Sequence, residues 1–165
     1  TIYMKTNKPN LRPYGINPEK GRDYENITYV LALVYNLLQT RVEKFLLPHG
    51  LSAMQFNLLM LAAYQNNGKG LSQVELSKRL IASASNITKL VEKSVQAGLI
   101  TRQTNPQSRR ENIICITQKG QNLIDEVWPE YDTLVRELTE RIPSANRAQF
   151  ETILCNWFVD LQEDK

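Results

Sequence analysis

Apolar residues recur at helical spacing on both flanks of the chain and predict long helices there. The first begins near Tyr24, and it is apolar around so much of its circumference that more than one side must be buried. Its main apolar face comprises Tyr24, Ile27, Leu31, Val34, Leu38, Val42 and Phe45. The sequence Pro48-His49-Gly50 predicts its end.

Two more helices are predicted after Thr117, which can cap the first of them, and Pro129 predicts a kink within that helix. Its apolar side consists of Leu123, Val127, Tyr131, Leu134, Leu138 and Ile142. The last helix carries an apolar stripe of Phe150, Ile153, Leu154, Trp157, Phe158 and Leu161. The chain has too little material to cover these flanking helices, so we expect a two-fold homodimer interface; packing within one chain is the alternative.

The central region, residues 51–120, contains shorter helices that open with capping boxes. Ser52 with Gln55, and Ser72 with Glu75, have the spacing at which each side chain can bond the backbone N–H of the other residue. The helix after Ser52 is predicted to bury Phe56, Leu59, Met60 and Ala63.

Residues 71–98 read as two helices joined by a short turn. The first is expected to turn Val74, Leu76 and Leu80 inward, and Ile81-Ala82 leaves room only for a sharp turn. The second begins near Ser83, ends at Gly98, and is expected to bury Ile87, Leu90, Val91 and Val95. This pattern is typical of a helix-turn-helix, whose second helix enters the DNA major groove.

Polar residues cluster at the start of that second helix. Amide, ammonium and hydroxyl groups can bind base edges or phosphates, and a helix N-terminus favours a phosphate. We therefore predict DNA contacts from Ser83, Ser85, Asn86, Thr88 and Lys89. The alternative is that they only cap the helix and cover it with solvated polar groups.

A β-hairpin is predicted next, with strands at residues 99–104 and 112–117 and a polar tip at 105–111. The tip contains Arg109 and Arg110, and arginine on such an arm suits a narrow minor groove. A hairpin beside a helix-turn-helix is a wing, so both arginines are predicted to bind DNA; a solvated charge cluster is the alternative.

Charge is concentrated in the same region. Residues 71–120 hold eight Lys or Arg against three Glu, net +5, whereas the other 115 residues hold 12 basic and 14 acidic groups, net −2. A basic module in a slightly acidic body indicates a polyanionic partner, double-stranded DNA.

Other function classes find little support in the sequence. No apolar run approaches the ~20 residues of a membrane helix, and no signal peptide is evident, so we expect a cytoplasmic protein without membrane contact. His49 is the only histidine, and no catalytic set, phosphate loop or metal-ligand spacing appears. We therefore predict no enzyme activity, no cofactor and no metal. Cys115 and Cys155 are expected to be buried, reduced thiols.

Six ordered blocks between Leu51 and Gly120 resemble the MarR family of winged helix-turn-helix regulators. They are residues 51–59, 71–77, 86–92, 98–102, the wing tip Ser108-Arg109-Arg110, and 116–120. The wing departs from the family's usual Asp-Arg-Arg, because Ser108 stands at the acidic position. The resemblance implies a mainly α fold with a small β-wing (α+β), in which residues 51–120 form the DNA-binding domain. Residues 23–50 and 121–165 would be dimerisation helices, and residues 1–22 an extended or disordered arm.

The function implied by the resemblance is a sequence-specific regulator, a ligand-responsive repressor acting as a homodimer on an inverted-repeat operator. Members of this family bind small anionic aromatic effectors between the dimer helices and the winged module. The positions here that would contribute are Arg41, His49, Met54, Asn57 and Met60. A winged-helix protein-interaction module without DNA binding is the alternative function, and it has no need of a polar helix start plus an arginine wing.

Overall fold

A computed structural model describes residues 10–16, 23–65, 69–80, 84–105 and 108–163 of the 165. Six α-helices are formed by these residues: α1 (Asp23–Leu46), α2 (Ala53–Tyr64), α3 (Gln73–Arg79), α4 (Ala84–Gln96), α5 (Gln118–Thr139) and α6 (Ser144–Glu163). Three strands accompany them: β1 (Leu71–Ser72), β2 (Ile100–Asn105) and β3 (Ser108–Ile116). The predicted fold class, mainly helical with a small β-wing, is confirmed.

The chain divides into two compact units, Thr1–Arg41 and Val42–Lys165. In the first unit the described segment 10–16 forms a 3-10 turn at Arg12–Tyr14 with Leu11 and Ile16 buried, and the Tyr14 ring lies 5.6 Å from that of Tyr29. Two buried apolar side chains thus hold these seven residues in a turn, whereas an extended or disordered arm was expected over residues 1–22. Residues 1–9 and 17–22 lie outside the described residues.

One apolar core holds the second unit together. Its fully buried large side chains come from the end of α1, from α2, α3, α4 and α5, and from the sheet: Leu46, Phe56, Leu58, Leu59, Leu71, Leu76, Ile87, Val91, Ile100, Ile114, Ile124 and Val127. Burial on this scale fixes the helix-turn-helix against the sheet, because each apolar side chain contributes about 1.5–3 kcal/mol when removed from water.

The sheet is antiparallel with strand order β1-β3-β2. Leu71 pairs with Ile114, and Ile100 pairs with Ile116. The sequence pattern missed β1, because two residues show no periodicity. The predicted seven-residue hairpin tip was also wrong: β2 and β3 extend through polar residues and leave only 106–107 between them. The backbone pairing of β2 with β3 continues through polar residues, where apolar and polar residues no longer alternate in the sequence.

The helix ends that were predicted from capping residues are present in the structure. Both capping boxes are present: Ser52 with Gln55 and Ser72 with Glu75. Gly98 adopts a left-handed conformation (φ 70°) at the end of α4. Helix α5 continues through Pro129 as a single helix.

Three predicted core positions were wrong. Val74 is 58% exposed and Val95 is 37% exposed, the latter lining a shallow depression with Glu92, Gln96 and Arg102. Cys155 is exposed on α6. Val74 lies on α3, which is only seven residues long, and Cys155 lies on α6, which buries no residue within a single chain. Val95 lies on the last turn of α4.

Candidate nucleic-acid interface

Helix α4 has one face in the core and one in solvent. Ile87, Leu90 and Val91 are buried on the inner face. Ser94 is also buried there, and its hydroxyl is satisfied because it donates to the Leu90 carbonyl at 2.8 Å. This amphipathic division determines which side chains α4 presents outward.

The outward face of α4 brings together most of the predicted reading residues. Ser85, Asn86 and Lys89 are exposed within two helical turns, and Thr88 is half-buried among them. Ser83 lies outside the described residues. Because residues three and four apart on a helix share a face, Ser85, Thr88 and Lys89 form one strip.

Gln73 also belongs to this surface, although it is not among the residues that the sequence predicted to bind DNA. Its Nε2 donates a hydrogen bond to Thr88 Oγ1 at 3.0 Å, joining the first residue of α3 to the second helix of the pair. The sequence offered only one signal for this role, a polar residue at the first position of a capped helix. It gave no sign of the bond to Thr88, because fifteen positions separate the two residues.

The arginine pair lies within strand β3. Arg109 and Arg110 are its second and third residues, directly after the tip, and Ser108 pairs with Asn105 across the hairpin. A register irregularity between Thr104 and Asn105 interrupts the ladder at that point. The positions of the two arginine side chains lie outside what the structure describes.

Basic side chains of the module face solvent. Lys78 and Arg79 end α3, Lys89 and Lys93 lie on α4, and Arg102 lies on β2. All five are exposed, as is Lys119 at the start of α5. Glu75 is the one acidic residue of α3. Hydrogen bonds from the backbone and hydroxyl of Ser72 lower its pKa, and the positive charges of Arg79 and Lys78 lower it further.

The predicted effector residues lie around the end of α1 and along α2. Arg41 and Asn57 are exposed, His49 is half-buried, and Met54 and Met60 pack partly buried against the core. The structure does not describe how Arg41, in the first unit, lies relative to the other four.

An aromatic cluster centred on Tyr131 reaches His49 through Phe45, and the sequence did not reveal these residues as a group. The His49 ring lies 5.4 Å from Phe45, whose ring is 6.4 Å from Tyr131. Tyr131 in turn lies 4.6 Å from Phe56 and 5.7 Å from Trp128. Burial among these rings raises the pKa of the Tyr131 hydroxyl.

Other chemistry is sparse in the described part of the chain. No group of three His, Cys, Asp or Glu side chains among these residues could hold a metal ion. Burial raises the pKa of the Cys115 thiol, which lies 3.7 Å from the Lys69 carbonyl oxygen. No single helix in the described ranges is long and apolar enough to cross a membrane; residues 24–49 and 53–64 meet that criterion only as a bent pair.

Comparison with known proteins agrees with this geometry. The sequence profile of the MarR family matches residues 49–111. The chain is 32% identical over 109 residues to the HTH-type transcriptional regulator MhqR of Bacillus subtilis, spanning 66% of this chain and 73% of that protein. It is 27% identical over 117 residues to the transcriptional repressor MprA of Escherichia coli, spanning 71% of this chain and 65% of that protein.

A solved structure extends the match to three dimensions. CouR from Rhodococcus jostii RHA1, bound to p-coumaroyl-CoA, aligns with a TM-score of 0.68 at 28% identity over 78% of this chain and 88% of that one. MhqR and MprA are regulators of transcription, and the family is not one of enzymes. The chain belongs to the MarR family of transcriptional regulators.

Proposed function

We propose that this protein is a sequence-specific, double-stranded DNA-binding repressor that acts as a homodimer on an inverted-repeat operator and responds to a small ligand. One observation carries the proposal: Ser85, Asn86 and Lys89 are exposed together on α4, whose opposite face is locked into the core. A helix of this kind offers base-reading groups on a rigid support.

The proposed contacts follow from side-chain chemistry. Asn86 can bond the N6 and N7 edge of adenine, and Lys89 can bond the acceptors of guanine. Ser83 and Ser85 at the helix start, with Arg109 and Arg110 on the wing, would hold phosphates or the minor groove. The exposed basic residues of the module support this role, because phosphate neutralisation supplies much of protein–DNA affinity.

Exposed apolar side chains support the homodimer. Helix α6 buries no residue in the single chain, and Phe150, Ile153, Phe158, Val159 and Leu161 are each more than 40% exposed. A two-fold axis would pair this surface with its own copy and would place two α4 helices about 10 bp apart. Light scattering at micromolar concentration tests the assembly, and a monomer would contradict it.

A small anionic aromatic effector is the proposed signal. The similar structure of CouR holds p-coumaroyl-CoA, an anionic thioester of an aromatic acid. In this chain the His49 and Tyr131 rings, with Met54 and Met60 nearby in sequence on α2, provide aromatic and polarisable groups. Asn57, exposed on α2, would supply a polar contact. Thermal-shift screening against phenolic acids and their thioesters tests this part: no stabilisation by any of them would contradict it.

Selection of DNA by the full-length protein tests the central claim. Duplexes with a randomised centre are enriched over several rounds, and an inverted repeat is the expected product. Lys89→Ala should then weaken binding to the selected site, whereas Lys93→Ala, one turn further along the same exposed helix, should have a smaller effect. If no sequence is enriched and binding to random DNA is absent at low salt, the protein-interaction module is the better description.

A further inference from the structure

The hydroxyl of Thr88 is turned towards α3. Gln73 Nε2 donates to Thr88 Oγ1 at 3.0 Å, and both side chains are partly buried. Gln73 is itself well fixed, because Ser72 caps α3 through a hydrogen bond from the Glu75 backbone N–H to its hydroxyl. The Ser77 hydroxyl also donates to the Gln73 carbonyl at 2.9 Å.

Thr88 nevertheless lies within the strip that faces DNA in the proposed function. Ser85 is one helical turn before it, and Lys89 is the next residue; both are exposed. The bond from Gln73 ties the Thr88 oxygen to the other helix of the pair. That oxygen is therefore engaged inside the protein, while the neighbouring side chains of the strip are exposed to solvent.

We propose that Thr88 reads thymine through its methyl group, and that Gln73 is the positioning residue that sets this orientation. The inference rests on the proposed function, in which α4 enters the major groove. Thymine is the one base that displays a methyl group there, and a threonine methyl can contact it. The sequence alone suggested a hydroxyl contact to a base edge or phosphate, and the bond to Gln73 is the reason to assign the methyl instead.

Base analogues test the contact with the wild-type protein. Each thymine of a duplex selected by the full chain is replaced in turn by deoxyuridine, which lacks only the C5 methyl. One symmetric position should lose about fourfold in affinity per half-site, the effect of one buried methyl-sized group. If no thymine shows a loss, the proposal is overturned. If the wild-type protein selects no sequence at all, the proposed function has failed rather than this inference.

Two near-isosteric variants separate methyl from hydroxyl. Thr88→Val keeps the methyl and should keep the preference for thymine over deoxyuridine at that position. Thr88→Ser keeps the hydroxyl and should lose it. The opposite result would overturn the proposal, and so would equal behaviour of the two variants. Melting temperatures within a few degrees of wild type confirm that both variants are folded.

The role of Gln73 is tested by coupling. Gln73→Ala removes the hydrogen bond that holds the Thr88 hydroxyl towards α3, so the preference for thymine should fall. In the Thr88→Val background the same change should leave the preference unaltered, because no bond to Gln73 remains to be lost. If Gln73→Ala weakened binding to the thymine duplex and to the deoxyuridine duplex by equal factors, Gln73 would contact DNA itself, and the positioning role would be contradicted.

Discussion

The hydroxyl of Thr117 lies 2.8 Å from the carbonyl oxygen of Gly98 and 3.0 Å from that of Leu99, so one side chain joins the end of α4 to the start of α5. The same oxygen accepts the Gly120 backbone N–H at 3.0 Å and caps α5. Lys119 adds a bond from Nζ to the Ala97 carbonyl at 2.8 Å. Three consecutive carbonyl oxygens at the end of α4 are thus bound by the first residues of α5.

Thr117→Val should destabilise the protein by about 1–2 kcal/mol, because it removes a helix cap and the hydroxyl bond to α4 together. Denaturant unfolding measures the loss. Thr117→Ser keeps the hydroxyl and should recover most of the stability. A serine variant as unstable as the valine variant would mean that packing of the threonine methyl, and not the hydrogen bonds, holds this junction.

Asn86→Ala should cost on the order of 1–3 kcal/mol in binding to the selected operator and should relax the preferred sequence, because an asparagine amide discriminates between base edges. Affinities for operator and scrambled duplexes measure both effects. If Asn86→Ala weakened binding to the two duplexes by equal factors, the residue would be an anchor without a reading role.

Arg109→Ala should weaken binding to operator and scrambled DNA by similar factors. Each lost phosphate-type contact lowers the log–log salt slope by about 0.9, and a dimer loses two. Titration at several salt concentrations measures the slope. The acid that usually accompanies this arginine is replaced by Ser108. An unchanged affinity and slope would show that the wing does not touch DNA and that α4 acts alone.

Phe158→Glu should convert the proposed dimer to monomer and abolish cooperative operator binding. Phe158 is 63% exposed in the single chain, so a charge there costs little in the monomer but would be buried in the proposed two-fold interface through α6. Asn156→Glu, exposed on the same helix, is the matched control and should remain dimeric. Light scattering distinguishes the two; a dimeric Phe158→Glu variant places the interface elsewhere.

Ser72→Ala and Ser52→Ala each break a capping box, and both should cost about 1 kcal/mol near neutral pH. Only the partner of Ser72 titrates. The folded-state pKa of Glu75 is lowered below its ordinary 4.5, so its contribution is present above that value and is lost as the pH falls through the lowered pKa. The cost of Ser72→Ala should therefore shrink below about pH 4.5, whereas that of Ser52→Ala, whose partner Gln55 is uncharged, should stay constant.

Short-range patterns in the sequence determined where most helices of this protein begin and end. Ser52 and Gln55, Ser72 and Glu75, Thr117, and Gly98 define helix ends through bonds or backbone angles within a few residues, so their spacing in sequence is sufficient. The order of the helices and the family resemblance followed from the same short-range patterns. The amphipathic face of α4 was readable for a similar reason, with Val95 as the exception.

Contacts between distant residues were decided by the tertiary structure alone. The β1 strand exists only because Leu71 meets Ile114, and the Gln73–Thr88 and Thr117–Gly98 bonds join residues 15 and 19 positions apart. Periodicity reports which side of an element is apolar, but not which partner covers it. Val74 and Cys155 occupy apolar positions but are exposed in the part of the chain that the structure describes. The aromatic cluster of Tyr131, in contrast, forms because α5 packs against α2 in the core.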